Sequence, residues 1–88
     1  MREEHFLLEM KNKALQIPKM NPMEITDELR YIRGEYEIEH VSMAVANKAL
    51  IPFVEAWNKY AIAKAKKYGM KPQLMRAHVK FLPMPWGK

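Results

Sequence analysis

Six prolines, at positions 18, 22, 52, 72, 83 and 85, constrain this chain more than any other feature. Each locks φ and lacks a backbone N–H, so regular structure begins, bends or ends where one stands. The apolar periodicity between them can be assigned piece by piece. Residues 2–16 read as a helix, because Phe6, Leu7, Met10, Ala14 and Ile17 share one stripe about 100° wide at the helical period. Leu8 and Leu15 fall on the opposite side. This helix has two apolar faces, so it is either sandwiched in a core or offers one face to another chain.

Asn21-Pro22-Met23-Glu24 is the best start signal in the sequence. The Asn side chain can accept from free amides as N-cap, Pro suits the first helical position, and Glu24 stands three residues after the cap. The helix it opens presents Ile25, Leu29 and Ile32 on one face, and Gly34 is expected to stop it in a left-handed conformation. Beyond Gly34, Ile38, Val41 and Val45 project away from that face, which argues for a break there. Residues 35–41 alternate as a strand would, yet the glutamates and the following alanines also suit a helix running to about Leu50, and helix is preferred.

Ile51 precedes Pro52 and marks a boundary or kink. Residues 52–68 are the clearest helix, with Pro52 at its first position. Its stripe is Phe53, Val54, Trp57, Tyr60, Ala61, Ala65 and Tyr68, and Gly69 is its stop. Residues 71–81 fit a short helix opened by Pro72 or a strand showing Ala77, Val79 and Phe81. The last residues, 83–88, form an extended, polyproline-like tail. The expected fold is all-α, a small bundle of three or four helices with that tail. An α+β form with short strands near 35–41 and 76–82 is the alternative. Residues 1–82 make one small domain.

Composition restricts the chemistry. In 88 residues there is no cysteine, and Ser42, Thr26 and Asp27 are the only residues of their types. Thiolate nucleophiles, hydroxyl triads and paired aspartates are therefore excluded or nearly so. No glycine-rich phosphate loop is present, so no cofactor is expected. His5, His40 and His78 lack paired metal-ligand spacing, and Glu37, Glu39 and His40 read as a solvated helix start or strand edge rather than a metal site. Val45-Ala46, Ala49 and Ile51-Pro52 loosely resemble the turn of bacterial repressors. The groove-facing positions would then be Phe53, Val54 and Trp57, which cannot read base edges, so that reading is rejected.

Charge is divided unevenly. Residues 1–40 carry six Lys and Arg against nine acids, whereas residues 41–88 carry nine against Glu55 alone. Lys59, Lys64, Lys66, Lys67, Lys71, Arg76 and Lys80 could contact phosphates, giving weak, sequence-indifferent nucleic-acid binding. Tyr60 and Tyr68 are expected to be core. Eight methionines exceed what a tightly packed core uses, and methionine suits adaptable contact surfaces.

A non-enzymatic protein-binding module, such as an inhibitor, adaptor or assembly factor, is therefore the leading expectation. Its contacts are assigned to Leu8, Leu15, Met20, Met23, Leu82, Met84 and Trp86, with an unidentified protein partner and self-association as a dimer. A nucleic-acid-associated protein is the alternative. Short, cysteine-free, Met-rich and charge-split, the chain resembles small phage or mobile-element accessory proteins in make-up, though in no motif. No run approaches the ~18–20 apolar residues of a membrane span, and the acidic start is unlike a signal peptide, so a cytoplasmic protein is expected.

Overall fold

The computed structural model describes residues 2–85 and is all-α, with no strand among them. Three α-helices follow in order: α1 (Arg2–Ala14), α2 (Pro22–Glu37) and α3 (Met43–Tyr68). Two short 3₁₀ turns, Ile17–Lys19 and Val79–Phe81, complete the regular structure. The α+β alternative is thereby overturned. Residues 35–37 are the end of α2, and 76–82 is a bend leading into a 3₁₀ turn.

The start of α2 follows from its sequence. Asn21 Oδ1 accepts from the Glu24 amide at 2.9 Å, with Pro22 in the first position. Its end does not. Gly34 lies inside the helix, and its carbonyl accepts from Ile38 N at 3.0 Å. The left-handed residue that closes α2 is Glu39, at φ 61°. His40 N donates to the Glu35 carbonyl and Glu39 N to the Tyr36 carbonyl, both at 3.0 Å, the paired bonds of a Schellman stop. Arg33 and Glu37, one turn apart at 2.6 Å, help carry the helix past the glycine. The break inferred from the face reversal is real but lies four residues later. It leaves Ile38 exposed and turns Val41 into the core.

Ser42 caps α3 by accepting from Val45 N at 3.3 Å. The helix then runs 26 residues without stopping at Ile51 or Pro52, so Pro52 is internal rather than first. The ring frees the Lys48 carbonyl of its helical partner, and Lys48 is exposed, where water can satisfy that carbonyl. Continuity across residues 45–52 also leaves no repressor-like turn. Gly69 closes α3 at φ 65°, as its sequence implies.

α2 is antiparallel to α1 and to α3. Ties from Lys13 to Glu28 (3.0 Å) and from Tyr31 to Glu9 (3.1 Å) join α1 to α2 at matching heights. The core gathers Phe6 and Met10 of α1, Ile25, Leu29 and Ile32 of α2, and Ala46, Leu50, Phe53 and Val54 of α3. Val79 and Leu82 close it from the C-terminal segment. That segment returns alongside α3 as an extended strap, residues 70–78, neither the helix nor the strand expected for 71–81.

Candidate functional site

Three surface features flank α3, and the helix period explains each. Residues 48, 49 and 52 lie on one edge and continue as 55, 56, 59, 60 and 63, at steps of three and four. Beside the first set, Leu7, Leu8, Met10 and Ala14 of α1 complete an open apolar groove of about 490 Å³, bordered by Lys11 and Lys48. Beside the second, Ile17, Pro18, Met20, Pro22 and Ile25 complete a groove of about 590 Å³, bordered by Glu55 and Lys59. Together they follow about 22 Å of α3 at the helical rise.

The opposite edge of α3 carries the strap. Asn58 grips Met75 twice, its Oδ1 accepting from Met75 N at 2.7 Å and its Nδ2 donating to the Met75 carbonyl at 2.9 Å. Asn47 Oδ1 accepts from Val79 N at 2.7 Å. Eleven residues separate the two asparagines, three helical turns, so both face one side. Between strap and helix lies a third cleft, about 330 Å³, with Ala61 and Ala65 as its floor and Trp57, Tyr60, Lys64, Met70, Lys71 and Pro72 around it. The small alanines let the strap lie close.

The proposed contact residues are dispersed by the fold. Leu8 is 57% exposed, Leu15 73% and Met23 74%. Met20 is half-buried in the second groove. Leu82 is 4% exposed and belongs to the core, so its side chain is occupied within the chain. Met84 remains 40% exposed, but its sulfur accepts from Arg33 Nη2 at 3.1 Å, which lays the described part of the tail against α2. Trp86 lies outside the described residues.

The seven basic residues assigned to phosphate contact are all exposed. Lys64 and Lys71 meet in the strap cleft, while Lys59 borders the groove across the helix. Lys66 and Lys67 are carried round the helix barrel at about 100° per residue, so no single face holds them all. Arg76 is turned over the Phe81 ring, 4.8 Å from its centroid. Lys80 follows His78, whose Nδ1 accepts from the Lys80 amide at 3.2 Å. Tyr60 and Tyr68, expected in the core, are 43% and 63% exposed. Tyr60 stands between the strap cleft and the second groove and lines both, while Tyr68 is the last residue of α3.

Asn47, Asn58 and Ser42 carry structural roles that periodicity does not reveal. A clue is available for the asparagines: each is a poor helix former inside a long helix, which a backbone-binding side chain explains. The most perturbed titrating group is Tyr31. Burial, followed by its hydrogen bond to Glu9 and the nearby Glu9 and Glu35 charges, pushes its phenol up to about 12. Lys13, 4.4 Å over the ring, ties the same cluster to Glu28 and Glu9. It fastens α1 to α2, and Glu9, Tyr31 and Glu35 also line an open pocket of about 350 Å³ with Arg2, His5 and His40. Among the described residues no three His, Asp or Glu converge as metal ligands, and no helix is long and apolar enough to cross a membrane.

No family model, curated protein or solved structure matches the chain.

Proposed function

We propose that the protein is a small non-enzymatic protein-binding module that contacts its partner through the grooves along α3 between α1 and the first 3₁₀ turn. One observation carries this reading: the two grooves are consecutive, apolar and open, and Leu8 stands exposed at their edge. Such a surface fits a partner's amphipathic helix laid in a groove. With Lys11, Lys48 and Lys59 outnumbering Glu55 at the borders, acidic flanks on that helix would be favoured. The absence of cysteine and the single Ser, Thr and Asp support a role without catalysis.

A second copy of the chain is the first occupant to test. Acids concentrate in the first forty residues and bases in the remainder. An antiparallel, isologous dimer would set the acidic α1 and α2 of each copy toward the basic half of the other.

A photo-crosslinking side chain at Lys11 tests the groove, with Arg30 on the exposed side of α2 as the control position. In nuclease-treated host lysate, a discrete adduct at position 11, absent at 30 and lost on adding Leu8→Glu, supports the reading. An adduct with the mass of a dimer assigns the groove to self-association. Equal labelling at both positions, or no adduct at 11, counts against it.

A further inference from the structure

The strap cleft meets the second groove at Tyr60, which lines both, and has a different chemistry. We propose that it binds single-stranded nucleic acid, holding the backbone with Lys64 and Lys71 and stacking bases on Tyr60 and Trp57.

Charge gives the first reason. No acidic residue follows Glu55 in the sequence, and none lines the cleft, so Lys64 and Lys71 have no carboxylate within its lining. Lys64 approaches from the helix and Lys71 from the strap, on either side of an alanine floor. A phosphodiester passing between them would meet both ammonium groups. Lys59, Lys66 and Lys67, all exposed on the same turns of α3, raise the local potential that draws a polyanion in.

The aromatic residues give the second. Tyr60 is 43% exposed and Trp57 half-buried, and both border the cleft. Neither the Tyr60 hydroxyl nor the Trp57 indole N–H has a hydrogen-bond partner among the described side-chain bonds, so the rings are not committed to polar contacts within the fold. An aromatic face beside lysines accepts any base, because every base has a π-face. Duplex bases are already stacked and cannot reach it. An acidic peptide would satisfy the lysines but has no ring to lay on Tyr60. Both features together therefore select an unpaired strand. The stretch from Trp57 to Tyr68 is about 18 Å long at the helical rise, enough for roughly five stacked nucleotides.

The test uses the full chain with Trp86→Phe, so that Trp57 is the only indole. Fluorescein-labelled 15-mers of deoxythymidine and uridine are titrated at 50 and 150 mM salt, beside a duplex of mixed sequence and a 15-residue polyaspartate. Expected are quenching of Trp57 by the single strands and duplex binding at least tenfold weaker. The slope of log affinity against log salt should lie near −2, about three phosphates at 0.7 each. Lys64→Ala with Lys71→Ala should cut that slope by about 1.4. Tyr60→Leu, which keeps bulk but removes the ring face, should weaken binding about tenfold with the salt slope unchanged. These three residues are exposed, so the melting temperature of each variant should match the parent. Equal affinity for duplex or polyaspartate would overturn the proposal in favour of a generic cationic patch. So would single-strand affinity unchanged in the Tyr60 and lysine variants, or no binding at 50 mM salt. Lys64 and Lys71 line neither groove, and Tyr60 lines the second but not the one along α1, so the lysine variants test the cleft alone and failure here leaves the protein-binding reading standing.

Discussion

Asn58→Ala is the most informative single change to the strap. It deletes two hydrogen bonds, 2.7 and 2.9 Å long, to one backbone unit of Met75. Each is worth about 1 kcal/mol net, giving a loss near 2 kcal/mol. Met75 is only half-buried, so its freed N–H and carbonyl can reach water and no large desolvation penalty is added. Alanine also recovers about 0.6 kcal/mol as the better helix former. The net cost is about 1–1.5 kcal/mol, a fall of roughly 5–10 °C in melting temperature for a domain of this size. Far-ultraviolet circular dichroism should keep its helical signal, because α3 needs no strap to hydrogen-bond its own backbone.

Hydrogen exchange locates the effect. The Met75 amide should lose its protection, while Val79, held by Asn47 and wholly buried, should keep most of its own. Asn58→Asp supplies a sharper comparison at almost constant shape. A carboxylate can still accept from Met75 N, but its second oxygen faces the Met75 carbonyl instead of donating to it. Protonation restores that donor, so the variant's carboxyl pKa should be raised in the folded state. Its stability relative to the parent should then recover as pH falls from 7 toward 4, the direction linkage requires for a raised acid. An unchanged melting temperature and an unchanged Met75 exchange rate in Asn58→Ala would refute the strap's attachment at this point.

The other expectations follow from the caps, the core and the α1–α2 cluster. Glu39→Gly should stabilise by about 0.5–1 kcal/mol in thermal or urea melts, because it relieves a left-handed non-glycine residue and removes a negative charge from a helix C-terminus. Gly69→Ala should destabilise by about 1 kcal/mol through backbone strain alone, since nothing lies within 4 Å of the added methyl. Leu82→Ala should cost about 2–4 kcal/mol in the same melts, as expected of a side chain filling the core rather than waiting for a partner. With its phenol raised to about 12, Tyr31 should ionise only near that pH in an ultraviolet titration. The folded state holds that proton more tightly than the unfolded chain, so its contribution is complete below pH 10 and is lost as pH rises from 10 to 12. Tyr31→Phe should abolish this alkaline loss.

What the sequence discloses depends on whether the deciding interaction is local. The Asn21 cap, the Gly69 stop and the apolar stripe Ile25, Leu29 and Ile32 are set within a turn or two of chain, and all three can be read directly. Gly34 misleads because glycine permits a helix stop without requiring one, and the Arg33–Glu37 pair and the buried side of α2 carry the helix past it. Pro52 misleads similarly: its cost of about 3 kcal/mol is outweighed by burying Phe53, Val54 and Leu50 on one continuous rod. Tyr60 and Tyr68 share the period of the buried stripe, yet periodicity cannot show that the neighbouring elements leave them largely uncovered. That depends on the relative lengths of three helices, which only the assembled chain reveals.

Those lengths also explain why α3 would serve two ligands. At 26 residues it is about 39 Å long, while α1 has 13 residues and α2 has 16, so neither can cover it fully. The first half packs against helices and leaves apolar grooves. The second half borders the first 3₁₀ turn and the start of α2 on one side and the strap on the other, where it leaves a cationic cleft. Leu8 borders a groove beside Ala49, and Lys64 stands fifteen residues further along α3, about 22 Å away. Perturbations at such separation add independently unless a shared element transmits them. Leu8→Glu should therefore abolish the groove adduct and leave oligonucleotide affinity within about twofold, while Lys64→Ala with Lys71→Ala should do the reverse. Combining the three changes should reproduce both losses with no additional effect. A change of more than about threefold in oligonucleotide affinity on Leu8→Glu would mean that α3 transmits occupancy from one site to the other, and the picture of two independent surfaces on one rod would have to be given up.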